Sequence, residues 1–326
     1  MVKNRIIISE IFNPAYNLGL EEYLIETGDN ILYLWQNDNT IVIGRNQNPY
    51  KECNIKKIKE DKVNLVRRRS GGGAVYHDMG NLNFTIISKK HKNNIEENFD
   101  LVNRALSYEN IKSVFNGRND LHVDNKKISG NAFFEDEDIF CHHGTMLIDV
   151  DMNRLGKYLT ASKLKLESKG IDSVKSRVVN LIDIEPNINV EKIIQGFIKA
   201  YKEKINNSDI DIEYFDKEKI ENNPDIMEKV NRYSSWDWVF GESPKSNMYF
   251  EEKFDWGIID LELDVESGFI KNAKIYTDSI INDNFDELSE NLKNIKLKKE
   301  NLIEKIEETI KDEKIKKDLI KKVNNF

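Results

Sequence analysis

The stretch Arg67-Arg68-Arg69-Ser70-Gly71-Gly72-Gly73-Ala74-Val75-Tyr76-His77-Asp78 constrains this chain more than any other. Three successive glycines permit backbone conformations closed to other residues and remove side chains. Bare N–H groups can then approach an anion closely. The three arginines upstream offer charge and bidentate donors suited to phosphate or carboxylate. A tight turn beside a solvated basic strand is the plainer reading, and the arginines tip the balance toward anion binding. The stretch is not a P-loop, because no Lys-Ser or Lys-Thr follows at the required spacing. It is not a dinucleotide fingerprint either, since Tyr76 stands where the last glycine would fall.

A loop of this kind needs a scaffold, and composition bounds what that scaffold is. A length of 326 residues suggests about two domains. With 39% hydrophobic and 10% aromatic residues the chain can bury a core. No run approaches 18 apolar residues, so no membrane span is expected. The N-terminal MVKNRIIISE is too short in its apolar run for a signal peptide and lacks a small-residue cleavage site. Two cysteines, Cys53 and Cys141, cannot build a disulfide framework. A cytoplasmic protein is therefore expected. The net charge of −8 argues against general nucleic-acid binding but leaves room for local anion sites. Residues 293–326 hold 11 Lys and 7 acidic residues, a net of +4. That interspersion reads as amphipathic helices with solvated faces rather than a nucleic-acid arm.

Periodicity gives a mixed α+β order. Arg5 to Glu10 reads as a strand, and Asn13-Pro14 caps a helix with Tyr16, Leu20, Tyr23 and Leu24 on one face. Ile31–Gln36 and Thr40–Gly44 read as paired strands around Asn37-Asp38-Asn39. Asn81–Ile87 reads as a strand, Ile95–Ile111 as a helix, and His122–Asp124 with Lys127–Ser129 as a hairpin around Asn125-Lys126. Thr145–Val150 reads as another strand and Val190–Tyr201 as a helix. Tyr249–Val265 and Phe269–Tyr276 alternate like an antiparallel pair turning at Glu266-Ser267-Gly268. Leu302, Ile306 and Ile310 form one helix face, and Ile315, Leu319 and Val323 another. Ser243-Pro244-Lys245 marks a boundary, giving domains 1–245 and 246–326.

Two further clusters carry chemistry. Lys127, beside Ser129-Gly130-Asn131 on a strand, can set an ammonium against a phosphate, although an exposed hairpin with charged tips is the favoured reading of this cluster taken alone. Cys141-His142-His143-Gly144-Thr145 offers a thiol and imidazoles. Adjacent strand residues point to opposite faces, so His142 and His143 are poor joint metal ligands, and Cys141 with His142 is a poor nucleophile and base. Packing is the expected role of Cys141, and no structural metal is expected.

Taken together, these clusters resemble a lipoate–protein ligase. The resemblance runs from Asn17–Leu24 through Val42–Pro49, Glu52-Cys53-Asn54, Arg67–Asp78 and Gly80–Phe84. It continues through Gly117–Asp120, Lys127–Ala132, His143-Gly144-Thr145, Ser173–Leu181 and Trp236–Ser243. It implies a catalytic domain folded like biotin ligases and class II aminoacyl-tRNA synthetase cores, followed by a small α+β accessory domain. It implies that ATP and lipoate give lipoyl-AMP and pyrophosphate, and that the lipoyl group then passes to an acceptor lysine. The implied acceptors are lipoyl domains of 2-oxoacid dehydrogenase complexes and the glycine-cleavage H protein, with Mg²⁺ accompanying ATP.

By position, the resemblance makes Lys127 the catalytic lysine that contacts both lipoate and the α-phosphate. Arg68, Gly73, Ala74, Val75 and Tyr76 are implied to bind ATP and lipoyl-AMP. Ser70, Gly71, Gly72 and His77 are implied to shape the lipoate pocket, and Asn119 and Asp120 to lie on the Mg²⁺ or phosphate side. The expected state is a monomer without nucleic-acid or membrane partners. Two alternatives remain open at this point: an ATP-independent octanoyltransferase, and a non-catalytic lipoate-binding module.

Overall fold

The computed structural model describes residues 2–116, 119–159, 178–240, 248–266, 269–281 and 283–324. Eleven strands come first in the chain. They are β1 (Asn4–Ser9), β2 (Asn30–Trp35), β3 (Thr40–Ile43), β4 (Asn64–Arg67), β5 (Val75–His77) and β6 (Asn81–Lys89), then β7 (Val114–Asn116), β8 (Asp120–Val123), β9 (Lys126–Asp136), β10 (Ile139–Leu147) and β11 (Ile212–Phe215). Eight of them form one mixed sheet in the order β11-β1-β2-β6-β10-β9-β8-β7. The other three form a small sheet in the order β4-β3-β5.

The large sheet is covered on both faces, because side chains along a strand alternate between faces. Leu32 and Leu34 of β2 pack with Phe84, Phe99, Val102 and Phe197. Phe84 comes from β6, and the other three come from the helices α2 (Asn94–Ser107) and α3 (Val190–Lys204), once α1 (Pro14–Glu26) is counted as the first. Ile31, Tyr33 and Trp35 point the other way, onto Leu18, Leu24, Ile226 and Tyr233. Those residues belong to α1 and to α4 (Pro224–Ser234). Helix α1 starts as the sequence predicts: Asn13 Oδ1 accepts from the Ala15 and Tyr16 amides, and Pro14 occupies the first turn.

The strands Ile31–Gln36 and Thr40–Gly44 are not partners, contrary to expectation. β2 lies between β1 and β6, whereas β3 lies between β4 and β5. Asn17 explains the divergence. Its amide donates to Gln36 O at 2.8 Å and to Asn37 Oδ1 at 3.0 Å, so the connecting backbone is tied to α1 rather than closed as a hairpin.

The hairpin carrying Lys127 does form, with its turn one residue earlier than expected. Asp124 and Asn125 take φ of 49° and 62°, the geometry of a two-residue turn that Asn and Asp tolerate. Val123 then pairs with Lys126, and β9 runs on without a break to Asp136.

The C-terminal domain is built on β12 (Met248–Phe254), β13 (Gly257–Glu266) and β14 (Phe269–Thr277), an antiparallel sheet. Tyr249–Val265 is thus two strands, paired Phe254 to Gly257 across Asp255-Trp256. Helices α5 (Phe285–Asn291), α6 (Lys299–Thr309) and α7 (Glu313–Asn324) cover it. Leu302, Ile306, Ile310 and Ile315 are buried in its core, with Leu319 and Val323 at the edge. The expected boundary at residues 245/246, the turn Ser267-Gly268, Gly117-Arg118 and most of the Ser173–Leu181 motif lie outside the described residues.

Candidate active site

The glycine loop is held by the arginines before it, each in a different way. Arg67 is buried and donates to five carbonyl oxygens: Gly44, Arg45, Gln47, Trp238 and Val239, at 2.6–3.2 Å. Burial lowers its pKa to about 10. Arg69 pairs with Asp136 at 2.9 Å and Glu22 at 3.6 Å. Neither guanidinium lines the cavity, Arg67 being taken up by backbone carbonyls and Arg69 by the protein's own carboxylates, so the sequence reading of three anion-binding arginines narrows to Arg68. A run of cations does not reveal which members are consumed by the fold.

Arg68 lines a cavity of about 180 Å³ between β9, β10 and the loop. It donates to Ser70 Oγ at 3.0 Å, Gly71 O at 2.6 Å and Gly73 O at 2.9 Å. Because peptide bonds are trans, turning Gly73 O toward Arg68 turns the Ala74 N–H away from it. Burial lowers the Arg68 pKa to about 10, against the pull of Glu21, and the group remains charged at neutral pH.

The cavity lining is divided in chemistry. Leu18, Trp35, Val42, Val75 and Ala132 are apolar, whereas Arg68, Asn119, Lys127, Asn131 and Thr145 are polar. Lys127 Nζ lies 2.7 Å from Asp120 Oδ1, with both side chains about one-third exposed, at 31% and 30%. Gly130 makes room for it, since a Cβ there would stand 3.0 Å from Nζ. Asp120 Oδ1 is buried and makes no hydrogen bond beyond that ion pair among the described residues.

Of the expected site residues, the structure gathers Arg68, Gly72, Gly73, Ala74, Val75, His77, Asn119 and Lys127 around the cavity. Four others do not line it, and of these Asp120 meets it only through its ion pair with Lys127. Tyr76 packs with Ile41 and Tyr158, and its hydroxyl meets Asn39 and Arg154. Gly71 abuts the C-terminal domain, where a Cβ would come within 2.1 Å of Ser279 O. Ser70 lies behind the wall, its Oγ 2.6 Å from His143 Nε2. Gly72, at φ +94°, donates its N–H to Ser279 O.

His143 and Trp35 also line the cavity, and neither was singled out as a site residue from sequence. His143 Nδ1 is 3.0 Å from Glu21 Oε1. Thr85 Oγ1 donates to the same carboxylate oxygen at 2.6 Å and accepts from Trp35 Nε1 at 3.0 Å. Burial raises the Glu21 pKa, but His143, Thr85 and Arg69 outweigh it and the net shift is downward. Burial lowers His77 to about 3, with Arg68 and His143 adding to the effect, so it is neutral. Cys141 does not line the cavity, and burial holds its thiol well above the ordinary range. It is therefore no acyl-transfer nucleophile.

A two-domain α+β chain with this cavity matches two family models, one after the other along its length. Residues 13–202 match the lipoyl protein ligase A/B catalytic domain, and residues 243–325 match the bacterial lipoate protein ligase C-terminus. The lipoate-protein ligase A of Psychrobacter cryohalolentis is 40% identical over 314 residues, covering 94% of this chain and 93% of that one. That of Bdellovibrio bacteriovorus is 38% identical over 300 residues, covering 90% and 88%. The crystal structure of P. falciparum LipL1 in complex with lipoate superposes with a TM-score of 0.88 at 32% identity, covering 99% of this chain and 100% of that one. A lipoate-protein ligase A bound with ATP shares the fold, with a TM-score of 0.61 at 22% identity over 74% of this chain and 99% of that one. The chain belongs to the lipoate–protein ligase A family of ATP-dependent ligases. The expected family, α+β class and enzyme type are borne out, and the octanoyltransferase and non-catalytic readings fall away.

Proposed function

We propose that the cavity activates lipoate with ATP and delivers the lipoyl group to a lysine of a lipoyl-domain acceptor, with Lys127 as the catalytic residue. The observation that carries this reading is the cavity's division: one set of apolar side chains suited to an acyl chain, and one lysine beside a glycine loop. The chemistry requires two anions, a carboxylate and a triphosphate, to meet against their repulsion. Positive charge and fixed N–H groups must therefore be in place beforehand. On this reading the Lys127 ammonium leaves Asp120 to bridge the lipoate carboxylate and the α-phosphate, and stays with the charge that develops between them. Arg68 works from behind the loop, directing peptide N–H groups outward while adding its field.

Gly73, Ala74 and Val75 contact the nucleotide. Tyr76 acts through its strand backbone, and Ser70 and Gly71 fix the shape of the loop. Gly72 and His77 border the lipoate chain with Leu18, Trp35 and Val42. Asn119 and the hydrogen-bond-poor oxygen of Asp120 form a hard donor set that fits Mg²⁺. When bound, that ion would neutralise phosphate charge. The catalytic unit ends near residue 245, and a monomer acting in the cytoplasm accommodates everything described.

The acceptors are the lipoyl domains of 2-oxoacid dehydrogenase acyltransferase subunits and the glycine-cleavage H protein. The test is intact mass of each acceptor after incubation with the protein, ATP, Mg²⁺ and lipoate. An ATP-dependent lipoyl mass shift on either acceptor supports the reading. Modification that proceeds without ATP, or none on any acceptor, overturns it.

A further inference from the structure

One cluster beside the cavity has a composition that lipoate activation does not call for. Glu21 of α1 and Cys141 and His143 of β10 are buried together, and one ligand atom from each lies within 4.8 Å of the others. The sheet explains the convergence. Cys141 and His143 are two apart on one strand, so they share a face. His143 sits opposite Thr85 in the β6 pairing, and α1 lays Glu21 over both. The Cys141 sulfur makes no hydrogen bond among the described residues.

We propose that Glu21, Cys141 and His143 are a binding site for Zn²⁺, and that the ion obstructs the acyl end of the cavity. Carboxylate, thiolate and imidazole are the ordinary zinc donors, and three protein ligands leave a fourth position for water. Imidazole and sulfur select zinc over Mg²⁺, which prefers an all-oxygen shell. Bonds of about 2.0–2.3 Å at tetrahedral angles place donor atoms about 3.3–3.8 Å apart. The widest pair must then draw in by about 1 Å, which side-chain rotation supplies.

The charge balances. Zn²⁺ meets one carboxylate and one thiolate, so the buried site becomes neutral, with the thiol proton released to solvent. The proton that lets Nδ1 hydrogen bond Glu21 passes to Nε2, which donates it to Ser70 Oγ, and the bared Nδ1 of the neutral imidazole holds the metal. Such a partner on the distal nitrogen is what orients metal-bound histidines. The cavity, which His143 lines, is the route in for the ion and its water.

The obstruction rests on the reading of the cavity as the lipoate site; the metal site itself does not. The two are separated by titrating the full-length protein with Co²⁺ as a spectroscopic stand-in and following the near-ultraviolet thiolate-to-cobalt charge-transfer band. We expect a single equivalent to develop the band and Zn²⁺ to abolish it. C141S and C141A should both lose the band while retaining ligase activity and the native far-ultraviolet dichroism. C53S should keep it, since Cys53 is the only other cysteine. Zn²⁺ affinity should fall by more than about 100-fold in both Cys141 variants, because even residues that only orient a ligand cost about 10–100-fold when changed. A wild-type protein with no band, or a band that survives in both Cys141 variants, overturns the site. A band with no competition between Zn²⁺ and lipoate overturns the obstruction alone.

Discussion

Replacing Arg67 by lysine distinguishes an anion-binding cation from a structural clamp. Arg67 is 6% exposed and meets five carbonyl oxygens, three on residues 44–47 and two on Trp238 and Val239. A lysine keeps the charge but offers three donors from one point, where the guanidinium offers five in a fork. At least two carbonyls lose their partner, at about 1–3 kcal/mol each. The expected loss is about 4 kcal/mol in R67K and no less in R67A. At about 2–4 °C per kcal/mol for a domain of this size, the melting temperature falls by about 8–16 °C. Scanning calorimetry measures the shift, and the KM for ATP should stay within about twofold, because Arg67 does not line the cavity. An R67K protein that melts within about 2 °C of the parent but needs much more ATP would refute the clamp.

Three other outcomes follow from the site. K127A should lower lipoate-dependent pyrophosphate exchange by more than about 100-fold with an unchanged melting temperature; near-normal exchange removes Lys127 from its proposed role. D120N should release Lys127 from a part-exposed pair worth about 0.2–1 kcal/mol, and so tighten lipoate binding by no more than about fivefold while raising the Mg²⁺ requirement. Calorimetric titration reads the first effect, and weaker lipoate binding would count against it. His77 sits at about 3 in the folded protein against 6.5 ordinarily. Between those values the unfolded chain holds a proton that the folded chain lacks, so stability falls as pH falls, by about 2 kcal/mol from pH 7 to pH 5. H77N should show a shallower loss over that range by denaturant unfolding, and an identical slope would contradict the buried neutral imidazole.

Local rules made much of this molecule readable. Asn13-Pro14 announces α1, and the helical faces at Leu302, Ile306 and Ile310 and at Ile315 lie against the C-terminal sheet as their spacing suggests. The basic tail also resolves as its pattern implied, since Lys293, Lys305 and Lys316 each pair with a glutamate three residues away. What sequence could not supply were consequences of distant contacts. Asn17 separates β2 from β3 by binding backbone about 20 residues on. Arg67 and Arg69 look like anion binders until Trp238, Asp136 and Glu22 fold against them. Glu21 and His143 meet across 122 positions of chain, so a reading that compares neighbours such as His142 and His143 passes over the i, i+2 pair that shares a face.

These details bear on how the proposed site of an acidic protein would accommodate two anions. The cluster of three arginines suggested a surplus of cationic charge, but the folded loop spends it. Arg67 and Arg69 are engaged elsewhere, and Arg68 gives its N–H groups to Ser70 and to carbonyls of residues 42, 71 and 73. Lys127, the other Lys or Arg lining the cavity among the described residues, already faces Asp120. On the proposed reading, an incoming carboxylate exchanges one anionic partner of Lys127 for another, and that exchange would yield little net Coulomb energy in a part-exposed pair. On that reading the remainder would come from dipoles fixed before the ligand arrives, in a glycine loop whose carbonyls are pinned on one side by Arg68 and whose Gly72 is pinned on the other by Ser279. The loop's geometry is thus set jointly by both domains, and displacement of the C-terminal domain would release Gly72 N–H while leaving the Arg68 contacts in place.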